Sequence, residues 1–297
     1  MTWDFSPQFL IQGIERDCAR FYLQDYYENR TQVVAGVADG GYNGGNIEGI
    51  PVFDLVTEAL ASHPEIVTSI ICSHPYRVLD ATREAIESGI SQIVIHSEGI
   101  PPLDLLKIYQ TGEKRGVRIV GVSGGGILIP GCFYCGMNYA SFFSKGNVAI
   151  INYCEQIVAA EIAYCLREAG LGVSLAVSFG EGGLAFENSH IWFEWCEAHK
   201  DTHLVIVSIK GLVGEQVKQL ATLLQKTNKP KIVYCFDVRG VQQRLQYKNK
   251  GKVVCDQIEL HLHLQNSWQS IIEELRDERT VIVDNLLVIP QLCKRGL

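Results

Sequence analysis

A few groups of residues have types and spacings that chemistry can use. Cys132-Phe-Tyr-Cys135 is the only C-x-x-C. A zinc site needs a second pair of ligands and a redox pair opens a helix, so these two read as ordinary thiols. His261 and His263 stand at i, i+2 on one face of an expected strand, with no third ligand, and no metal is expected. His190 follows Gly180-Glu-Gly-Gly183 at an expected helix start, where a polar cap is commonplace. The first strand-to-helix turn, Gly13-Ile-Glu-Arg-Asp-Cys-Ala19, has the position at which backbone N–H groups hold phosphates. It retains one glycine, and Glu15 and Asp17 place carboxylates where an anion would sit. Those acids suit the helix dipole themselves, and Arg16 is the one cation offered to a phosphate. Asn152-Tyr-Cys-Glu155 has the spacing of an N-cap followed by a capping-box glutamate. Asp39-Gly-Gly-Tyr-Asn-Gly-Gly45 is a glycine-rich loop. His96-Ser97-Glu98-Gly99 lies at the carboxyl end of an expected strand, the edge where doubly wound sheets bind ligands.

These residues are positioned by a regular alternation. Short β-branched runs at Phe9–Gln12, Val33–Val37, Val67–Cys72, Gln92–Ile95 and Arg118–Val122 alternate with amphipathic segments beginning at Glu15, Asp54, Tyr76 and Leu103. That order requires parallel strands joined by right-handed crossovers, a Rossmann-like α/β domain. A loop-rich stretch from Ser123 to Gly146 breaks the pattern. It restarts with a strand at Asn147–Ile151, a helix over Cys154–Ala169, and strands at Val173–Ser178, Leu204–Ile209 and Lys231–Phe236. The polar stretch Gln242–Lys250 interrupts again before strands near Val253 and Val281. The expected organisation is a Rossmann-like domain over 1–125, a linker over 126–145, and a second doubly wound, flavodoxin-like domain over 146–297.

Composition limits the function classes. With 26 Lys plus Arg against 33 Asp plus Glu, the net charge of −7 offers no general attraction to nucleic acid or anionic lipid. No apolar stretch reaches the ~18–20 residues of a membrane helix. Ten irregularly spaced cysteines, without a secretory signal, read as reduced thiols in a cytoplasmic protein.

Several segments in order resemble one family. They are Gln12-Gly13, Val34-Ala-Gly-Val37 leading to Gly44-Gly45, Gly49-Ile-Pro-Val-Phe53, Glu84-Ala-Ile86 with Gly89-Ile90, Ser97-Glu-Gly-Ile-Pro101, and Gly116-Val-Arg-Ile-Val-Gly121 with Ile129-Pro-Gly131. Lys145-Gly-Asn-Val-Ala-Ile150, Gly170-Leu-Gly172 and Lys229-Pro230 continue the order with weaker identity, to about Lys250. The chain resembles the α subunit of succinyl-CoA synthetase, an ADP- or GDP-forming acyl-CoA ligase. The resemblance implies a CoA-binding Rossmann domain, then a flavodoxin-like ligase domain that carries a phosphohistidine and packs against a nucleotide-binding β subunit. Gly13, Asn43, Gly44, Gly45, His96, Ser97 and Glu98 fall in the CoA-contacting segments, Asn43 standing where the family has a lysine.

The family's chemical groups depart from this pattern. Counted without gaps from Lys229-Pro230, the phosphohistidine position falls near Lys248, and the glutamate that orients it corresponds to Lys210. A protonated lysine has no lone pair for attack at phosphorus. The favoured expectation is a catalytically degenerate homologue with a structural or regulatory role. It needs no cofactor, binds CoA or a related nucleotide weakly, and works as a homo-oligomer or in a hetero-complex with a β-type or regulatory partner. Two alternatives stand beside it: an active acyl-CoA ligase subunit with altered residues, and a different enzyme using Lys210, Lys248 or a cysteine. The cluster Ile191-Trp-Phe-Glu-Trp195 is the expected contact surface, or else a helix buried on both sides.

Overall fold

The structure is a computed structural model describing residues 3–21, 23, 32–40, 44–121, 124–136, 140–180, 189–210, 215–236 and 272–296. Runs of Ile, Val and Leu form strands whose residues are buried on both faces, as a parallel sheet covered by helices requires. The first sheet contains β1 (Gln8–Gln12), β2 (Gln32–Val37), β3 (Asn46–Ile47), β4 (Ile50–Phe53), β5 (Thr68–Ile71), β6 (Gln92–Ile95) and β7 (Arg118–Gly121). Its order is β3-β4-β2-β1-β5-β6-β7, with only β3 antiparallel. Helices α1 (Asp17–Phe21), α2 (Val56–Ser62), α3 (Val78–Glu87) and α4 (Pro102–Arg115) connect the strands. On α3 the spacing of Val78, Leu79, Thr82, Ala85 and Ile86 puts one stripe into the core. Gly116, at φ +68°, closes α4 with a left-handed cap.

The second sheet contains β8 (Gly126–Ile129), β9 (Phe133–Cys135), β10 (Lys145–Tyr153), β11 (Val173–Ser178), β12 (Leu204–Ile209), β13 (Lys231–Cys235) and β14 (Thr280–Val283). Its order is β14-β13-β12-β10-β11-β8-β9. Its helices are α5 (Gln156–Glu168), α6 (His190–Ala198), α7 (Glu215–Lys226) and α8 (Ile289–Arg295). Counting parallel strands alone, the first sheet has the Rossmann order 3-2-1-4-5-6 and the second the flavodoxin order 2-1-3-4-5. The α/β expectation therefore describes both halves.

One expectation is corrected and one open choice is resolved. The stretch expected as a linker holds β8 and β9, which extend the second sheet antiparallel to β11. Strands of four and three residues around Pro130-Gly131 are too short to show a period of two, so the sequence reads them as loop. Of the two readings of the aromatic cluster on α6, the buried helix describes Trp192 and Phe193. Trp192 is 1% exposed and packs against Trp3 at 5.5 Å, while Trp195 stacks on His199 at 4.3 Å. One apolar cluster runs from Trp3, ahead of the first strand, and Phe9 of β1 through Phe133 to Trp192 and the second sheet, so the halves share buried surface. The strand expected near Val281 is β14. The polar stretch 242–250, the strand near Val253, His261 and His263 lie outside the described residues.

Candidate functional site

Each sheet has one place where the strand order reverses, and there the loops leaving two neighbouring strands diverge and open a crevice at the carboxyl edge. In the first sheet this is between β1 and β5. Gln12 pairs with Ile71, and Ile71 with Ile95, so Gly13, Cys72 and His96 leave the sheet side by side. Gly13 adopts φ +76°, and a Cβ there would lie 2.8 Å from the Ser73 nitrogen. The glycine thus serves close packing of its turn onto the end of β5, and its N–H donates to the Val37 carbonyl at 2.7 Å.

Glu15 is not spent on the helix dipole. Its Oε1 accepts the Asp39 N–H at 3.0 Å, and Asp39 in turn accepts the His74 N–H at 2.9 Å. A backbone donor free to meet a phosphate is therefore already bonded to a carboxylate. Asp17 is exposed at the start of α1. Beside this turn a cleft of about 530 Å³ is lined by Asp39, Asp54, Asp80 and Glu84, with Arg77 as the one cation in its wall. This cleft is not legible in the sequence, because Asp80 and Glu84 reach it from α3, which the sequence places only as a crossover helix between two strands. The CoA diphosphate fits this edge poorly: four carboxylates surround the cleft and a fifth holds the nearest N–H.

His96 is buried, and its Nδ1 lies 3.2 Å from the Gly124 carbonyl. That contact puts the proton on Nδ1 and leaves the Nε2 lone pair without a hydrogen bond among the described residues. Burial draws its pKa down to about 4 against the opposing pull of the Gly124 carbonyl. Ser97 donates to the Ser73 carbonyl at 2.6 Å, Glu98 is exposed, and Gly44 turns at φ +72° on the surface. The structure thus brings Gly13, His96 and Ser97 to one edge. Asn43 lies outside the described residues.

In the second sheet the reversal falls between β10 and β12. Asn152 ends up here, but not as an N-cap. It is fully buried, donates to Ser178 Oγ at 2.6 Å and to the Cys154 and Glu155 carbonyls, and accepts from Ser208 Oγ at 2.6 Å. It therefore ties three strand ends together. Glu155 holds the N-cap position of α5 without a side-chain cap bond, and its carboxylate pairs with Lys210. The capping box is replaced because a lysine side chain 55 positions away offers a full charge where a backbone N–H offers a dipole. Lys210 also lies 5.7 Å from the Phe236 ring centroid. Burial raises the pKa of Cys154 and pushes that of Cys235 up to about 12, which keeps both as inert thiols. Lys248 lies outside the described residues, and His190 stands exposed at the start of α6.

Cys135 is buried in β9 and Cys132 sits in the hairpin turn, not at a helix start. No group of three His, Cys, Asp or Glu among the described residues is placed to hold a metal. No helix among them is long and apolar enough to cross a membrane.

The strand orders define an α/β protein with two doubly wound sheets, and residues 8–99 match the CoA binding domain family model. The chain is 29% identical over 231 residues to the succinate–CoA ligase [ADP-forming] subunit alpha 2 of Archaeoglobus fulgidus, covering 78% of this chain and 79% of that one. It is 29% identical over 232 residues to the corresponding α subunit of Aquifex aeolicus, covering 77% and 75%. Among solved structures, ATP citrate lyase from Methanothrix soehngenii superposes over the whole chain with a TM-score of 0.76 at 13% identity. The dinucleotide-forming acetyl-coenzyme A synthetase 1 of Ca. Korarchaeum cryptofilum superposes over 95% with a TM-score of 0.69 at 15% identity. The chain spans 52% and 59% of those two structures, which share its fold. The chain is thus similar over most of its length to succinate–CoA ligase α subunits, from which it diverges in sequence.

Proposed function

We propose that this protein is a catalytically degenerate homologue of the succinate–CoA ligase α subunit, retained as a structural or regulatory component of a complex. The observation that carries this reading is the Glu155–Lys210 ion pair at the second switch point. In the resemblance that position holds the transferred phosphoryl group, and here it is filled by the chain's own charges. A phosphate would meet the Glu155 carboxylate, and two like charges at about 4 Å repel by roughly 4 kcal/mol at an effective dielectric of 20. The lysine that neutralises that carboxylate stands where the family's orienting glutamate is expected. The first switch point supports the same reading, since Glu15 and the acidic cleft disfavour the CoA phosphates.

The relatives are named as α subunits, and a hetero-complex with a β-type subunit or a regulatory partner is the proposed setting. Titration calorimetry with CoA tests the binding side. The reading expects weak or undetectable heat, and a dissociation constant below about 1 µM, or −8 kcal/mol, would overturn it in favour of an active ligase subunit. Light scattering tests the assembly side: a species above 33.1 kDa is expected, alone or with a co-purified partner.

A further inference from the structure

The first switch point contains two thiols that the ligase reading does not use. Cys18 comes from the first turn of α1 and Cys72 from the residue after β5, 54 positions apart. The turn at Gly13 brings them together: its missing Cβ lets residues 13–18 settle onto the Cys72–Ser73 backbone, where any side chain would come within 2.9 Å. Cys18 Sγ lies 4.0 Å from the Cys72 carbonyl oxygen, so the partly exposed thiol rests against the backbone of the residue that carries the buried one. Their surroundings differ. Cys18 is partly exposed with the Arg16 guanidinium beside it, whereas Cys72 is 2% exposed.

We propose that Cys18 and Cys72 form a hydroperoxide-sensitive dithiol, with Cys18 as the attacking thiolate and Cys72 as the resolving thiol. The proposal does not depend on whether CoA binds. In the first step Cys18 Sγ attacks one oxygen of a hydroperoxide. An S–O bond forms as the O–O bond breaks, sulfur loses two electrons, and the leaving oxygen takes up a proton as water or alcohol. In the second step Cys72 Sγ gives up its proton and attacks Cys18 Sγ, so that an S–S bond forms and the hydroxyl leaves as water. One hydroperoxide is reduced, two thiols are oxidised, and two hydrogens leave the chain.

The asymmetry between the thiols assigns the roles. The hydrogen bond from Cys72 and the adjacent Arg16 outweigh partial burial and draw Cys18 down to about 6, while the neighbouring Cys18 and burial raise Cys72 far above the ordinary thiol range. The attacking group is thus ionised and reachable, and its partner stays protonated until Cys18 becomes an electrophile. Disulfide formation fastens the Gly13 turn to the end of β5.

The test uses the full-length protein, reduced and then freed of reductant. It is treated with one equivalent of hydrogen peroxide, blocked with an alkylating maleimide and mapped by peptide mass spectrometry without reduction. A Cys18–Cys72 cross-linked peptide, 2 Da lighter than the two thiol peptides together, is the expected product. Iodoacetamide alkylation of Cys18 across pH 4.5–9.5 should show an inflection near 6. At pH 6.5 its rate should exceed that of an ordinary thiol of pKa about 8.5 by roughly fivefold, since greater ionisation is partly offset by lower nucleophilicity. Arg16→Gln should move that inflection upward while leaving the far-ultraviolet spectrum unchanged. In Cys18→Ser, Cys72 should stay reduced under the same treatment. Oxidation spread over Cys132 and other thiols with Cys18 and Cys72 both recovered as alkylated peptides, or a Cys18 inflection no lower than 8, would overturn the proposal.

Discussion

If Glu15 blocks the first switch point, removing its charge should raise the affinity for CoA. Its carboxylate accepts the Asp39 N–H at 3.0 Å, the donor that a phosphate at this turn would use. A phosphate oxygen taking that place would come within about 5 Å of the carboxylate, where like unit charges repel by roughly 3 kcal/mol at an effective dielectric of 20. Screening at physiological salt reduces this to about 2 kcal/mol, or roughly 30-fold in dissociation constant. Glu15→Gln should therefore tighten CoA binding about 30-fold while keeping an oxygen that can accept from Asp39. Glu15→Gly also frees the N–H, and a charge-assisted bond of ~1.5–3 kcal/mol should add tenfold or more. Titration calorimetry with CoA reads both variants. Pantetheine, which lacks the phosphates, serves as the control, and its affinity should not change. Equal gains for CoA and pantetheine, or no gain for CoA in a folded Glu15→Gly protein, would refute the electrostatic argument.

Two further outcomes concern stability. Because the folded-state pKa of His96 is drawn down to about 4 from an ordinary ~6.5, the unfolded chain binds more protons between those values. Stability should fall by about 3 kcal/mol as pH drops through that window, and His96→Leu should flatten this slope in urea melts at pH 7, 5.5 and 4. Lys231 is buried, donates to the Leu224 and Thr227 carbonyls, and pairs with Asp277 at 3.2 Å. Burial pushes the Asp277 carboxyl up, but the Arg279 N–H, the Thr280 hydroxyl and Lys231 together hold it below its ordinary value. Asp277→Asn should cost about 3 kcal/mol at pH 7 by leaving the lysine charge buried without its partner. A depressed acid stabilises above its unfolded pKa and loses that contribution as pH falls through the folded one, so the difference from the parent should shrink in acid.

Local patterns carried the strands and helices because Ile/Val runs and 3.6-residue stripes are short-range signals. β1, β5, β6, β11 and β12 lie within a residue or two of their expected bounds. Contacts between distant segments were not legible. Asn152 and Glu155 obey the grammar of a helix cap, yet Ser178, Ser208 and Lys210 override it from two other strands and the residue beyond one of them. The tryptophans of α6 leave an exposed anchor and a buried helix equally open in sequence, because Trp3, the partner of Trp192, is almost two hundred positions away. Cys18 and Cys72 are unremarkable in sequence, and only the β1–β5 register makes them neighbours. The glycine turns are legible as turns, but spacing alone puts Glu15 on the helix dipole, whereas its carboxylate accepts the N–H of Asp39.

The central claim is that no phosphohistidine forms on this chain. The direct measurement is incubation of the purified protein with ATP or GTP labelled at the γ-phosphate, alone and with a co-purified β-type subunit, followed by acid and base treatment of the blotted chain. The account predicts no acid-labile, base-stable label under either condition. Such label recovered on any histidine-containing peptide would contradict it and establish the chain as a working ligase subunit.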